Sequence, residues 1–315
     1  MRTGGRARRA SVVAGVFAAL TLALAGCAPS SLDETSGMEA ADPADVHQIE
    51  FDSVDRSYIA HVPDDAAIGA PLTLPVLVVL HGAGGNALKA EAATDLTDYA
   101  EAGDFIVVYP NGTQAADIEG QLAWNAGGCC GLPKRTNVDD VGFIEAVLDD
   151  VQAKYAVDTS RIYLAGFSNG GMMSYRLSCE LGDRIAGIAV VSGAFNVSSC
   201  ESEATTDVLI VHGTGDLTVP YRGGLSNERT AARFGQWTNK SVADAAKVWT
   251  ARDDCDDSPD SETQGVTTRA VYEDCADDST LEVISIKNGQ HVWPLGSNGG
   301  YDASAGIVEY FGLDT

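Results

Sequence analysis

The chain has 315 residues, 45% of them hydrophobic and 21% charged, with 34 glycines and a formal net charge of −25. That apolar content suffices for one large core or two modest ones and excludes a chain disordered throughout. The acidity excludes nucleic acid as a partner and fits a solvated, self-repelling surface. Arg2, Arg6, Arg8 and Arg9 open a basic segment, followed by an apolar run over residues 10–24 too short for a comfortable membrane span. Leu24-Ala25-Gly26-Cys27 closes that run and resembles a bacterial lipobox. The resemblance implies a signal peptide over residues 1–26, cleavage before Cys27, lipid on its sulfur, and anchoring to the outer face of the cell membrane. If Cys27 is incidental, the protein is secreted instead. Residues 27–45, rich in Ser, Ala, Asp, Glu and Pro, read as a flexible acidic tether.

From residue 46 onward the pattern is that of a single domain, 46–315. Residues 46–51 and 56–62 alternate in polarity as an antiparallel edge hairpin does. Residues 74–80 are continuously apolar, as in a strand covered on both faces, and similar runs recur at 105–109, 162–165, 185–191, 208–211 and 281–286. Helices alternate with them. One is expected over 138–155, capped by Asn137 and carrying Val141, Ile144, Val147, Leu148 and Val151 on one face. Others follow over 172–181, from Ser241 with Asp244 as a capping box, and over 303–311. The alternation predicts an α/β fold with a mainly parallel sheet flanked by helices and an antiparallel N-terminal edge hairpin. In such sheets ligands bind beyond the carboxyl ends of the strands.

Chemistry-bearing residues gather at those ends. Gly166-Phe167-Ser168-Asn169-Gly170 joins a strand-like run to a helix-like one, the form of a nucleophile elbow, where a sharp turn exposes the serine hydroxyl. A serine needs a base, itself oriented by an acid. With the order serine, acid, histidine, the histidines at 47, 61 and 81 precede Ser168 and drop out, and His212 lies within or at the end of a strand. His291, in a turn-rich loop after the last strand, remains as base. Asp216, past the 208–211 strand in His212-Gly213-Thr214-Gly215-Asp216, is the orienting acid. The oxyanion donors expected are the backbone N–H groups of Asn169 and of Ala83 in His81-Gly82-Ala83-Gly84-Gly85. Of seven cysteines, Cys27 is assigned to lipid, leaving three disulfides: Cys255 with Cys275, and two among Cys129, Cys130, Cys179 and Cys200 whose pairing stays open. No metal-ligand spacing appears, and the chemistry calls for no metal or organic cofactor.

Six motifs in this order resemble the extracellular polyhydroxybutyrate depolymerase-like esterases, which include feruloyl and acetyl xylan esterases of the α/β-hydrolase superfamily. They are Leu80-His81-Gly82-Ala83-Gly84-Gly85-Asn86, Trp124-Asn125 with Cys129-Cys130-Gly131, Val138-Asp139-Asp140-Val141-Gly142-Phe143, the Ser168 turn, the Asp216 turn with Val219-Pro220-Tyr221, and His291-Val292-Trp293-Pro294. The resemblance implies an α/β-hydrolase fold and a serine esterase acting on a small ester or an ester-decorated polymer, with Ser168, Asp216 and His291 as triad. His81, Trp124 and Trp293 are expected to border the substrate. The chain departs from the family in Asn288-Gly289-Gln290 before the histidine and Leu295 after Trp293-Pro294. Oligopeptidase-type peptidase activity and a ligand-binding surface lipoprotein without turnover are the competing readings.

Overall fold

The computed structural model describes residues 45–63, 68–69, 72–116, 120–296 and 300–314. The leader, Cys27 and the tether as far as residue 44 lie outside the described residues. Ten strands form one sheet, in the order Val46–Phe51, Val54–His61, Ile106–Pro110, Leu74–Leu80, Val157–Phe167, Gly187–Val191, Asp207–Gly213, Leu281–Ile286, Thr267–Tyr272, Asp260–Gln264. The six central strands are mutually parallel, and an antiparallel hairpin closes each edge.

The continuous apolar runs become parallel strands because both faces are covered. Along Leu74–Leu80, Leu74, Val76, Val78 and Leu80 enter one hydrophobic layer and Leu77 and Val79 the other. The first layer takes the long helix Asp140–Lys154 through Phe143, Ile144, Val147, Leu148 and Val151, whereas the second takes Ala303–Tyr310 through Ile307 and Val308. Among the described residues no helix is long and apolar enough to cross a membrane.

Three details differ from the sequence reading. The helix expected from 138 begins at Asp140, and its cap is Asp139, whose carboxylate accepts from the Gly142 N–H at 2.9 Å; Asn137 instead adopts φ 52°. Helices Ala87–Thr94 and Leu96–Gly103 and the hairpin Asp260–Gln264/Thr267–Tyr272 were not foreseen. The segment between Cys255 and Cys275 thus belongs to the sheet. Those two cysteines are joined, as are Cys179 with Cys200 and the adjacent Cys129 with Cys130.

Candidate active site

Ser168 lies between the strand Val157–Phe167 and the helix Asn169–Glu180 at φ 55° and ψ −117°, a region that non-glycine residues rarely occupy. Glycine makes the turn sterically feasible. A Cβ on Gly166 would overlap the Gly170 carbonyl, and one on Gly170 would overlap the carbonyl oxygens of Leu80 and His81. Backbone therefore meets backbone where the elbow crosses the neighbouring strand end, and the Ser168 side chain is directed out of the turn.

Asp216 follows the strand Asp207–Gly213, and His291 follows Leu281–Ile286, so the three side chains converge at the carboxyl edge of the sheet. His291 Nδ1 is 2.7 Å from Asp216 Oδ2, and His291 Nε2 is 2.9 Å from Ser168 Oγ. An ionised carboxylate can only accept, so Nδ1 carries the proton and the Nε2 lone pair faces the serine. Burial pushes the Asp216 carboxyl up, but hydrogen bonds from His212, His291 and the Val219 N–H outweigh it and hold the group below the usual carboxylate range. Its other oxygen, Oδ1, accepts from the N–H groups of Thr218 and Val219 at 2.8 and 2.9 Å. The set can relay a proton between the serine and the imidazole while the acid fixes the ring.

His212, set aside as a base, backs the acid. Its Nε2 donates to the Val219 carbonyl at 2.9 Å and lies 3.3 Å from Asp216 Oδ2, with the ring buried. The sequence motif placed it in a strand but gave no hint of this contact.

A cavity of about 210 Å³ opens on Ser168 and His291, walled by Gly82, Ala83, Cys130, Phe167, Met172, Val219, Phe234 and Trp237 among others. Ala83 borders it, and Asn169 begins the helix whose first N–H groups have no intrahelical acceptor. The Asn169 side chain is otherwise engaged: its Oδ1 accepts from Trp124 N at 2.8 Å, and its Nδ2 donates to Trp124 O at 3.1 Å.

His81, Trp124 and Trp293, expected to border the substrate, are 2%, 0% and 7% exposed and are not among the residues that line this cavity. Trp124 Nε1 donates to the His81 carbonyl at 2.9 Å, and Trp293 Nε1 donates to Ser304 Oγ at 2.9 Å. His81 Nδ1 donates to Gly82 O at 2.9 Å, and its Nε2 accepts from Gly112 N at 3.0 Å. Burial pushes its imidazole down to about 4, so it is a neutral strut for the glycine loop. The aromatic walls are Phe167, at the end of the strand Val157–Phe167, and Phe234 and Trp237, from the segment between Asp216 and the helix Val242–Arg252. A larger cavity of about 990 Å³ lies between the hairpin edge and the helix Ala303–Tyr310, and none of the three converging side chains borders it. Among the described residues no group of three His, Cys, Asp or Glu side chains is arranged to hold a metal ion.

Residues 71–247 match the phospholipase/carboxylesterase family of α/β-hydrolases. The chain belongs to that family. It is 31% identical over 224 residues to feruloyl esterase B of Piromyces equi, a match covering 69% of this chain and 39% of the relative. It is 30% identical over 259 residues to NocK of Nocardia uniformis subsp. tsuyamanensis, provisionally named an esterase, covering 77% of this chain and 72% of that one. The chain thus spans well under half of the Piromyces enzyme. Among solved structures, acetyl xylan esterase from Aspergillus awamori superposes with a TM-score of 0.60 at 16% identity, covering 85% of this chain and 99% of that one. The likeness establishes the shared α/β-hydrolase fold.

Proposed function

We propose that the protein is an exported serine esterase that cleaves carboxylic esters through an acyl-enzyme on Ser168. The reading rests on one observation, the unbroken row Ser168 Oγ, His291 Nε2, His291 Nδ1, Asp216 Oδ2 with links of 2.9 and 2.7 Å at a cavity mouth. His291 Nε2 takes the hydroxyl proton as Ser168 Oγ bonds to the ester carbonyl carbon. The oxyanion that forms is held by the N–H groups of Ala83 and Asn169, the latter at a helix start that favours negative charge. Collapse breaks the ester C–O bond, and the alcohol leaves with the proton from His291. Water then attacks the acyl-enzyme, gives its proton to the same nitrogen and releases the acid.

The names of the relatives support feruloyl or acetyl esters on a polysaccharide as substrates, and a cavity with Phe234 and Trp237 in its wall suits a short or aromatic acyl group. The basic and apolar leader supports export, and Cys27 at its end supports anchoring. Changing Cys27 to Ser should move the protein from the detergent phase to the aqueous phase in a Triton X-114 partition. The deciding experiment on chemistry pairs a fluorophosphonate probe with a panel of p-nitrophenyl esters, methyl ferulate, acetylated xylan, hydroxybutyrate oligomers and peptide anilides. Labelling of Ser168 with turnover of esters is expected. Folded protein that neither labels nor turns over any ester would sink the proposal, and turnover of anilides alone would make it a peptidase.

A further inference from the structure

In a chain with 45 acidic residues against 20 basic ones, the surround of the cavity is the place to look for the opposite sign. Every residue lining the cavity is neutral or, in His291, basic. Three exposed cations lie on segments that supply its lining residues or run beside them. Arg233 precedes the lining residue Phe234 on the helix Glu228–Phe234; its guanidinium donates to Gln121 Oε1 through Nε, at 3.1 Å, and through Nη2. A Cβ on Gly84, one residue from Ala83, would lie 3.1 Å from that Nη2, so Arg233 stands beside the glycine loop. Lys134 lies four residues beyond the lining Cys130, on the short helix Gly131–Arg135 that contacts the Arg233 helix, and donates to the Gly128 carbonyl at 2.8 Å. The Lys240 Nζ sits 4.9 Å from the Phe195 ring centroid, and its backbone N–H donates to Asn196 Oδ1 at 3.1 Å. Asn196 in turn bonds Asn239, which accepts from the cavity-wall Trp237.

Elsewhere Arg56, Lys154, Arg176, Arg184, Arg252 and Arg269 are each paired with a carboxylate, whereas Lys89, Arg135, Arg161, Arg222, Arg229, Lys247 and Lys287 have no such pair among the described residues and do not border the cavity. Arg233, Lys134 and Lys240 make no carboxylate ion pair among the described residues and rest on carbonyl, amide or ring partners. A strongly acidic body repels anions overall, and cations grouped beside the cavity offset that repulsion locally. From this we infer that Arg233, Lys134 and Lys240 form an anion-reading subsite, and that the preferred ester carries a carboxylate on the part of the molecule that stays outside the cavity. The inference rests on the esterase reading of the same site. Two sources share that chemistry: a uronic-acid group on an esterified polysaccharide, and the free carboxylate end of an oligoester.

The test compares matched pairs. One pair is an acetylated xylo-oligosaccharide with and without a uronate branch; the other is a hydroxybutyrate trimer and its methylamide. The quantity read is the ratio of kcat/KM for the anionic ester over its neutral partner, at low and at physiological salt. For the parent protein a ratio of about 5–10 in at least one pair is expected, falling with salt. The pair that shows it identifies the source. The ratio should fall towards 1 in Arg233→Gln/Lys134→Gln/Lys240→Gln, fall below 1 in Arg233→Glu, and persist in Arg233→Lys. Lys247→Gln, the loss of one positive charge on an exposed helix position that does not line the cavity, should leave it as in the parent. A parent ratio at or below 1 in both pairs, with the neutral esters turned over, overturns the subsite and leaves the esterase intact. If no ester turns over but the fluorophosphonate still labels Ser168, protection by the free uronate or hydroxybutyrate acid over its amide supports the subsite, and equal protection overturns it. Absence of labelling overturns both.

Discussion

Ser168 and its two partners come from three strand ends separated by 123 residues of chain, yet their meeting was legible from order and position alone. Strand ends are read from apolar runs, and glycines after each run mark where backbone must turn sharply. What surrounds them was not legible. Phe234 and Trp237 sit on or after a seven-residue helix with too few turns to display a periodic face, so nothing marks them as cavity walls. Trp124 and Trp293 stood out as large aromatics, but each buries its ring and satisfies its indole N–H inside. At this scale Asp216→Asn should lower kcat by about 10⁴-fold with the fold intact, because the amide presents the wrong group to Nδ1; steady-state kinetics with circular dichroism checks it. His81 gives a pH prediction. It stays neutral in the folded chain down to about pH 4, whereas an unfolded histidine takes its proton below about 6.5. Unfolding in that window therefore takes up a proton, so the stability His81 contributes is whole above pH 6.5, is lost as pH falls, and levels off below about 4. Asp253, pushed up to about 6 by burial, contributes the opposite slope. The comparison is accordingly between parent and His81→Gln: urea denaturation across pH 4.5–6 should show the parent losing up to about 1.4 kcal/mol per pH unit more than the variant.

The elements divide by how much apolar periodicity they carry. The parallel strands and the helix Asp140–Lys154 announce themselves because they are covered on one or both sides. The hairpin strand Asp260–Gln264 is exposed along its whole length and carries no alternation that would mark it in the sequence; charged and polar side chains suit an edge that must not pair with another chain. The alanine-rich helix Ala87–Thr94 likewise lacks a strong apolar stripe. The elbow is the element whose failure is easiest to foresee. Gly170→Ala would drive a methyl into the Leu80 and His81 carbonyls, where both neighbours are backbone and neither can rotate aside. A loss of about 3 kcal/mol or more is expected, read as a lower urea midpoint or as loss of soluble protein. Ala146→Gly, in the middle of the long helix, should cost only about 1 kcal/mol by comparison.

Over the whole molecule, an acidic surface surrounds a sheet whose functional edge is assembled from distant loops. The net charge of −25 implies repulsion that salt relieves. Raising NaCl from 10 mM to 0.5 M should therefore increase the melting temperature by about 2–4 °C, and an unchanged or lower value would show that local ion pairs outweigh the overall field. The strand ends hold Ser168, Asp216 and His291, while Thr230, Phe234 and Trp237 arrive on a separate excursion that leaves after Asp216 and returns at the helix Val242–Arg252. Thr218, Val219, Thr230, Phe234 and Trp237 thus reach the cavity wall on one stretch of chain. A chimera that exchanges the excursion for that of a relative would be expected to inherit the donor's taste in esters while keeping its own proton-relay hardware, which makes residues 217–240 the stretch to randomise when new substrates are sought.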